Sequence, residues 1–165
     1  MFRNMRRCGQ QLPENEAKAI LKNAASGVLA LLGDEDYPYA VPMSYVYTDG
    51  TIYFHSAIEG HKVDAVRRHG KASFCVVDAD DVVPSELTTY FRSVIAFGRV
   101  RIVEDEGEKL AAIRALAKRY SPAHMEKGEK EIRESWNRMH LIALDIEHLT
   151  GKEARELMQR RRAQA

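Results

Sequence analysis

Residues 51–77, TIYFHSAIEGHKVDAVRRHGKASFCVV, constrain the fold more than any other stretch of the chain. The apolar and aromatic run Ile52, Tyr53, Phe54 suits a strand, and a polar loop follows it. Val63, Ala65 and Val66 then mark the inward face of a short helix, and SFCVV returns as a second strand. A helix start carries unpaired N–H groups and a partial positive charge, so Gly60, His61 and Lys62 make a seat for an anion, phosphate above all.

The flanking sequence supplies the rest of a sheet. Pro13 opens a helix reaching about Asn23, with Ala17, Ile20 and Leu21 as its apolar stripe. A strand at 27–32, a turn at 33–38 (GDEDYP) and a second strand at 39–48 follow, and Asp49-Gly50 is a strong hairpin pair leading into Ile52. Pro42 cannot donate a ladder hydrogen bond, which places that strand at an edge or turns it toward a ligand. Beyond the central helix, 71–77 reads as a strand and 78–85 as an acidic loop. Residues 87–103 read as one long strand or a pair bent at Gly98. Helices are predicted at 104–120 and 129–138, a last strand at 140–146, and a basic helix or frayed tail at 153–165. The expectation is one domain over 1–165, with 1–12 as an N-terminal arm. Its fold class is mainly β with helices (α+β), a closed or nearly closed antiparallel barrel.

Composition excludes more than it assigns. At 45% hydrophobic, 30% charged and a net charge of +1, the chain is an ordinary globular protein, neither disordered nor a general polyanion binder. Cys8 and Cys75 lack CxxC spacing, and Cys75 within SFCVV reads as a reduced, buried thiol, favouring a reducing compartment. The amino end has basic residues without a following apolar run. Neither a signal peptide nor a membrane span is expected, and the cytoplasm is the expected location. His55 and His61 lack metal-ligand spacing and companion ligands, so no metal is expected; His69, His124, His140 and His148 read as surface or satisfied histidines. Trp136 reads as a core or interface anchor. Arg160, Arg161 and Arg162 read as a solvated tail, so no nucleic-acid partner is inferred. There is no GxGxxG dinucleotide fingerprint.

The strand, then FHSAIEGHKVDAV, then SFCVV, flanked by AVPMSYVY and RSVIAFGRVRIVEDEGEKLAAI, resembles the FMN-binding split barrels related to pyridoxamine 5′-phosphate oxidase. Within them it is most similar to the nitroimidazole-resistance (Nim-type) flavoproteins. The resemblance implies a six-stranded antiparallel split barrel with flanking helices, a homodimer, and one FMN at each of two subunit interfaces. His61 and Lys62 match the basic pair that contacts the FMN phosphate, with His61 where an arginine is usual. It further implies that His55 and Ser56 lie along the flavin and ribityl chain, that Ala57 and Gly60 belong to the same cofactor-binding stretch, and that Val41, Pro42, Met43 and Ser44 face the isoalloxazine through their backbone. Ser93 falls where a polar residue reaches the partner's FMN, and Trp136 is a further candidate for the flavin site.

The departures from the oxidase are specific. AVPMSYVY holds no basic residue, and the C-terminal arginine motif ending in proline is replaced by QRRRAQA. A pyridoxamine phosphate dianion would lack its charge partners. The expectation is therefore an FMN oxidoreductase that passes electrons to a nitroaromatic or other small acceptor, with His55 or His61 as candidate proton donor. A non-catalytic flavin-binding module and a haem-binding split barrel are the alternatives.

Overall fold

The computed structural model describes residues 2–163, so Met1 of the expected arm and Gln164 and Ala165 of the expected tail lie outside the described residues. In order, the chain forms α1 (Glu14–Asn23), β1 (Ser26–Leu32), β2 (Pro38–Ser44), β3 (Val46–Thr48), β4 (Thr51–Ala57), α2 (His61–Arg68) and β5 (Lys71–Val83). It continues with β6 (Thr88–Ile102), α3 (Glu106–Tyr120), α4 (Met125–Ser135), β7 (Met139–Glu153) and α5 (Arg155–Ala163). The strands build one antiparallel sheet in the order β2-β1-β5-β6-β7-β4-β3.

The two ends of this sheet, β2 and β3, are consecutive in sequence, with Tyr45 alone between them. A chain can step from one edge to the other in a single residue only if the sheet curls until its edges meet. Tyr45 therefore marks the seam of a split barrel. The six expected strands become seven because the expected strand at 39–48 breaks there, one half pairing with β1 and the other with β4. Pro42 does sit in an edge strand, opposite Val28.

The seam leaves Tyr45 outside any ladder, and α3 satisfies it. The Tyr120 hydroxyl accepts from the Tyr45 N–H at 2.9 Å, and it lies 2.8 Å from the Tyr45 carbonyl and 2.5 Å from that of Ala25, to either of which it can donate. The Tyr45 side chain is fully buried, donates to the Leu21 carbonyl at 2.7 Å, and packs edge-on against Phe74. Burial pushes its phenol up to about 12. Arg119 adds hydrogen bonds to the Lys22 and Ala24 carbonyls, tying α3 to the end of α1.

Two apolar clusters follow from strand alternation. Inside the barrel, Leu29, Ile52, Phe54, Phe74, Val94 and Ile142 pack with Leu21 of α1 and Val66 of α2. On the outer face of β4 and β7, Leu141 and Ala143 pack with Val46 and with Leu116 and Ile132 of α3 and α4. β7 is thus covered on both sides, which is why 141–144 reads as an unbroken apolar run. Around Val28 and Ile95 the outer face of the other strands carries no helix among the described residues. Pro42, Val28, Cys75, Ile95 and Thr150 stand directly opposite one another across it, with Val28 37% and Ile95 36% exposed. Cys75 is accordingly half-buried on this face, not enclosed in the core as its apolar neighbours suggested.

Other departures from the sequence reading share one cause, pairing to distant chain. The acidic stretch at 78–85 is mostly strand, because Ala79 to Val83 pair with Arg92 to Thr88 after a bulge, and Arg92 reaches Asp78 at 2.6 Å. The last strand runs to Glu153, since β6 supplies partners through Arg92. Its pairing includes a bulge at Gly98, where a Cβ would lie 2.0 Å from the Asp145 carbonyl oxygen. The second late helix begins at Met125 and ends at Ser135. The arginine tail is docked: Arg161 donates to the fully buried Glu153 carboxylate at 2.7 Å and reaches Glu16 at 3.3 Å. Arg160 lies over the Tyr90 ring.

Tyr120→Phe is expected to destabilise the fold by about 1–3 kcal/mol, the cost of leaving part-buried backbone groups unsatisfied. Tyr90→Phe, which loses only an exposed contact to Glu86, should change little. Paired urea denaturation curves check this, and equal midpoints for the two variants would remove the seam from the stability account.

Candidate functional site

Helix α2 begins at His61, where the sequence reading placed an anion seat. Gly60 precedes α2 with φ +113°, a conformation suited to glycine, and no side chain caps the helix start. Val63, Ala65 and Val66 anchor α2 to the barrel, which turns Lys62 toward β2, where its Nζ lies 3.4 Å from the Met43 sulfur. Among the described residues Lys62 has no carboxylate partner. Burial holds its ammonium below the ordinary lysine value. A half-buried cation whose neighbour is a thioether, beside uncapped N–H groups, is arranged to receive negative charge from outside the chain.

The residues around it divide by strand face. In β4, Ser56 is buried and turned inward, whereas His55 and Ala57 point outward. In β2, Val41 and Met43 are half-buried and Pro42 and Ser44 are exposed. Side chains of all four cannot meet one flat ligand, yet the outer backbone edge of β2 has no strand beside it among the described residues and remains open to one. His55 is held below the ordinary imidazole value by burial and then by the Lys62 charge, so the two groups sense each other. His55 and Ala57 also line a concavity of about 440 Å³ with Ile113, Ile132, Arg138 and Met139.

His61 is engaged more than its sequence position suggested. Its ring stacks on Tyr39 with centroids 4.1 Å apart and planes 15° apart, and its Nε2 is 3.5 Å from the Asp34 carboxylate. Arg68 reaches the same carboxylate at 3.0 Å and the Leu32 carbonyl at 3.3 Å. Asp34, Tyr39 and Arg68 thus clamp α2 to the β1–β2 turn, and the sequence reading gave no site role to Asp34 or Tyr39. The acidic turn GDEDYP facing a helix that ends in Arg67-Arg68 was the available signal. Ser93 and Trp136 are not brought to Lys62 within one chain. Ser93 lies on the uncovered outer face, opposite Val77 and Lys152. Trp136 packs with the outer cluster, with Lys109 Nζ 4.4 Å from its ring centroid and 2.8 Å from its carbonyl.

A profile of the family described as Pyridoxamine 5'-phosphate oxidase matches residues 13–153. The chain belongs to that family. No curated protein matches it by sequence. Among solved structures, a conserved hypothetical protein from Mycobacterium tuberculosis has a TM-score of 0.80 at 20% identity, over 93% of this chain and 92% of that one. A candidate 5-nitroimidazole antibiotic resistance protein from Bacteroides thetaiotaomicron has a TM-score of 0.69 at 21% identity, over 87% and 86%. A protein from Mycobacterium smegmatis described as binding FAD and haem has a TM-score of 0.75 at 19% identity, over 88% and 74%. At these identities the likeness is one of fold. The family match spans every strand and both walls of the Lys62 site, leaving out the first residues and α5.

No helix among the described residues is long and apolar enough to cross a membrane. His55 and His140 have folded values below the ordinary 6.5, so the unfolded chain binds more protons below that pH. Their stability contribution is complete above about pH 6.5 and is lost as pH falls through the lowered folded values. Thermal melting is expected to drop between pH 7.5 and pH 5.5, with a smaller drop in the double variant His55→Gln/His140→Gln. A melting temperature that rises on acidification would contradict the assignment.

Proposed function

We propose that the chain is a flavin-dependent oxidoreductase that holds FMN, with the phosphate at the start of α2 and Lys62 as its charge partner. Lys62 is the observation that carries this reading: a cation without a carboxylate, at an uncapped helix start, facing the open edge of β2. FMN, when bound, supplies the electron-transfer chemistry. The chain's own task is to bind the phosphate, fix the ring against the β2 backbone and the end of β4, and exclude water. Burial, and then the Lys62 charge, hold the His55 imidazole below its ordinary value. An anion beside Lys62 offsets that cation, raises the imidazole value and makes His55 a competent proton donor only in the loaded site. His61, committed to Asp34 and Tyr39, positions α2.

The acceptor we favour is a small ring such as a nitroaromatic. The concavity beside His55 has Ile113, Ile132 and Met139 as apolar lining and Arg138 at its edge, dimensions and chemistry suited to one. The Bacteroides thetaiotaomicron neighbour supports the same choice. Pyridoxamine phosphate is disfavoured despite the family name, since β2 offers no cation for a second phosphate. The Mycobacterium smegmatis neighbour makes haem the reading to test against, and the absorption spectrum of protein purified in the dark separates haem from flavin. Reduction by NADH or NADPH and reoxidation by an acceptor separate an enzyme from a binding module.

Lys62→Ala is expected to weaken FMN binding by about 1.5–3 kcal/mol with the fold intact, as for loss of a hydrogen bond to a charged group. Unchanged affinity on titrating the apo variant would take Lys62 out of the site. We further propose a homodimer through the uncovered outer face, where the row from Pro42 to Thr150 would be buried and Ser93 would reach the partner's flavin. Adding FMN then shifts dissociated protein toward dimer by mass action. Sedimentation across a dilution series measures this; stoichiometric FMN binding to a monomer, without association, would defeat the shared site.

A further inference from the structure

A second concavity, of about 600 Å³, lies between the C-terminal half of α2, the end of β6 and the start of α3. Its apolar side is formed by Val66, Val100 and Ile102. Arg67 stands at its rim with Nη2 3.5 Å from Nε2 of His140, and Lys109 also lines it. Neither Arg67 nor Lys109 has a carboxylate within salt-bridge distance among the described residues. Lys109 Nζ already donates to the Trp136 carbonyl at 2.8 Å, which leaves Arg67 as the cation that can meet a ligand here; burial first, and then both charges, hold His140 below the ordinary imidazole value. Glu104 and Glu106 line the α3 end, and Arg101, the remaining charge, is already paired with Glu108 and Asp145 at 2.7 Å each.

These three kinds of lining match the three parts of a nucleotide. The Arg67 guanidinium suits a phosphate, carboxylates accept from the hydroxyls of a ribose, and an apolar wall takes the face of a base. We propose that this concavity binds a nucleoside 5′-monophosphate group, the adenylate half of a dinucleotide. Resting on the flavin reading, the dinucleotide's other half meets the Lys62 site. Arg67 follows Lys62 on the same helix, about 7–8 Å further along the axis at 1.5 Å per residue. Two ligands share this chemistry: FAD, which would occupy both sites as one molecule, and NADH, which would bring its nicotinamide to a bound flavin. Carboxylates at the ribose end repel a 2′-phosphate, so NADPH is the poorer ligand. The absence of GxGxxG is no obstacle, because here the Arg67 guanidinium replaces the glycine-rich turn.

Calorimetric titration of the whole protein with 5′-AMP tests the site without any flavin. Saturable binding is expected, weakened about tenfold in Arg67→Ala, as for loss of a charge-assisted hydrogen bond. The Glu104→Gln/Glu106→Gln variant should gain affinity for adenosine 2′,5′-bisphosphate. No binding of AMP at millimolar concentration would overturn the proposal, as would AMP binding indifferent to Arg67→Ala in a variant that melts normally. Two further titrations identify the source. FAD binding the apo protein more tightly than FMN, with the difference lost in Arg67→Ala, assigns the site to the cofactor. Equal flavin affinities, with an NADH KM that rises in Arg67→Ala at unchanged kcat, assign it to the donor. FMN binding without AMP binding sinks this site and spares the flavin reading; AMP binding without flavin binding does the reverse.

Discussion

One hydroxyl group holds the break in the barrel. At Tyr45 the chain leaves one edge of the sheet and enters the other, and the Tyr120 oxygen is the partner that the Tyr45 N–H would otherwise have found in a neighbouring strand. A sheet of this size could instead close with a continuous ladder, and it would then present no open edge. Because the seam is plugged by a helix side chain, β2 keeps an unpaired backbone edge next to the end of β4 and the start of α2. The split that Tyr120 stabilises is the same split that leaves room for a ligand.

The electrostatics of the site depend on a division of labour along α2. Its first turn is left chemically open, with an uncapped start and Lys62 against a sulfur. Its last turn is spent on structure at Arg68, which shares Asp34 with His61. Arg67 and Arg68 are adjacent like charges in the sequence, and the fold separates them. One is neutralised by the β1–β2 turn, and the other leans across to β7. A helix this short can turn its first residues to β2 and its last to the concavity at the end of β6 only because its buried face, Val63, Ala65 and Val66, fixes its rotation.

How much was legible follows from the range of each interaction. The hairpin at Asp49-Gly50, the buried face of α2, the edge position of Pro42 and helix α3 are local, and the residues concerned state them. The strand character of 78–83 was hidden, since Asp80 and Asp81 read as loop until Tyr90 and Phe91 are placed opposite them. The Glu153–Arg161 pair was hidden for a similar reason. A tail arginine looks solvated unless one knows that Gln11 bridges Lys152 and that the next residue of β7 is enclosed. The position of Lys62 in the first turn of α2 was readable from the sequence. The clamp by Asp34 and Tyr39 was not, because it needs the turn and the helix brought side by side.

The position of β7 has a kinetic consequence. It fills the gap between β6 and β4, and its partner β4 lies far earlier in the chain, with Thr51 bonded to Asp145 across a separation of 94 residues. Until that loop closes, the β3–β4 hairpin has an unpaired edge and the run Leu141-Ile142-Ala143-Leu144 has neither of its two coverings. Contacts this distant make for slow folding, and an apolar strand waiting that long invites pairing with another chain. Arg138 and Asp145 bracket the run as charged gatekeepers. In a protein arranged this way, yield on refolding is governed by concentration and by how quickly β7 finds its slot, not by the strength of the finished core.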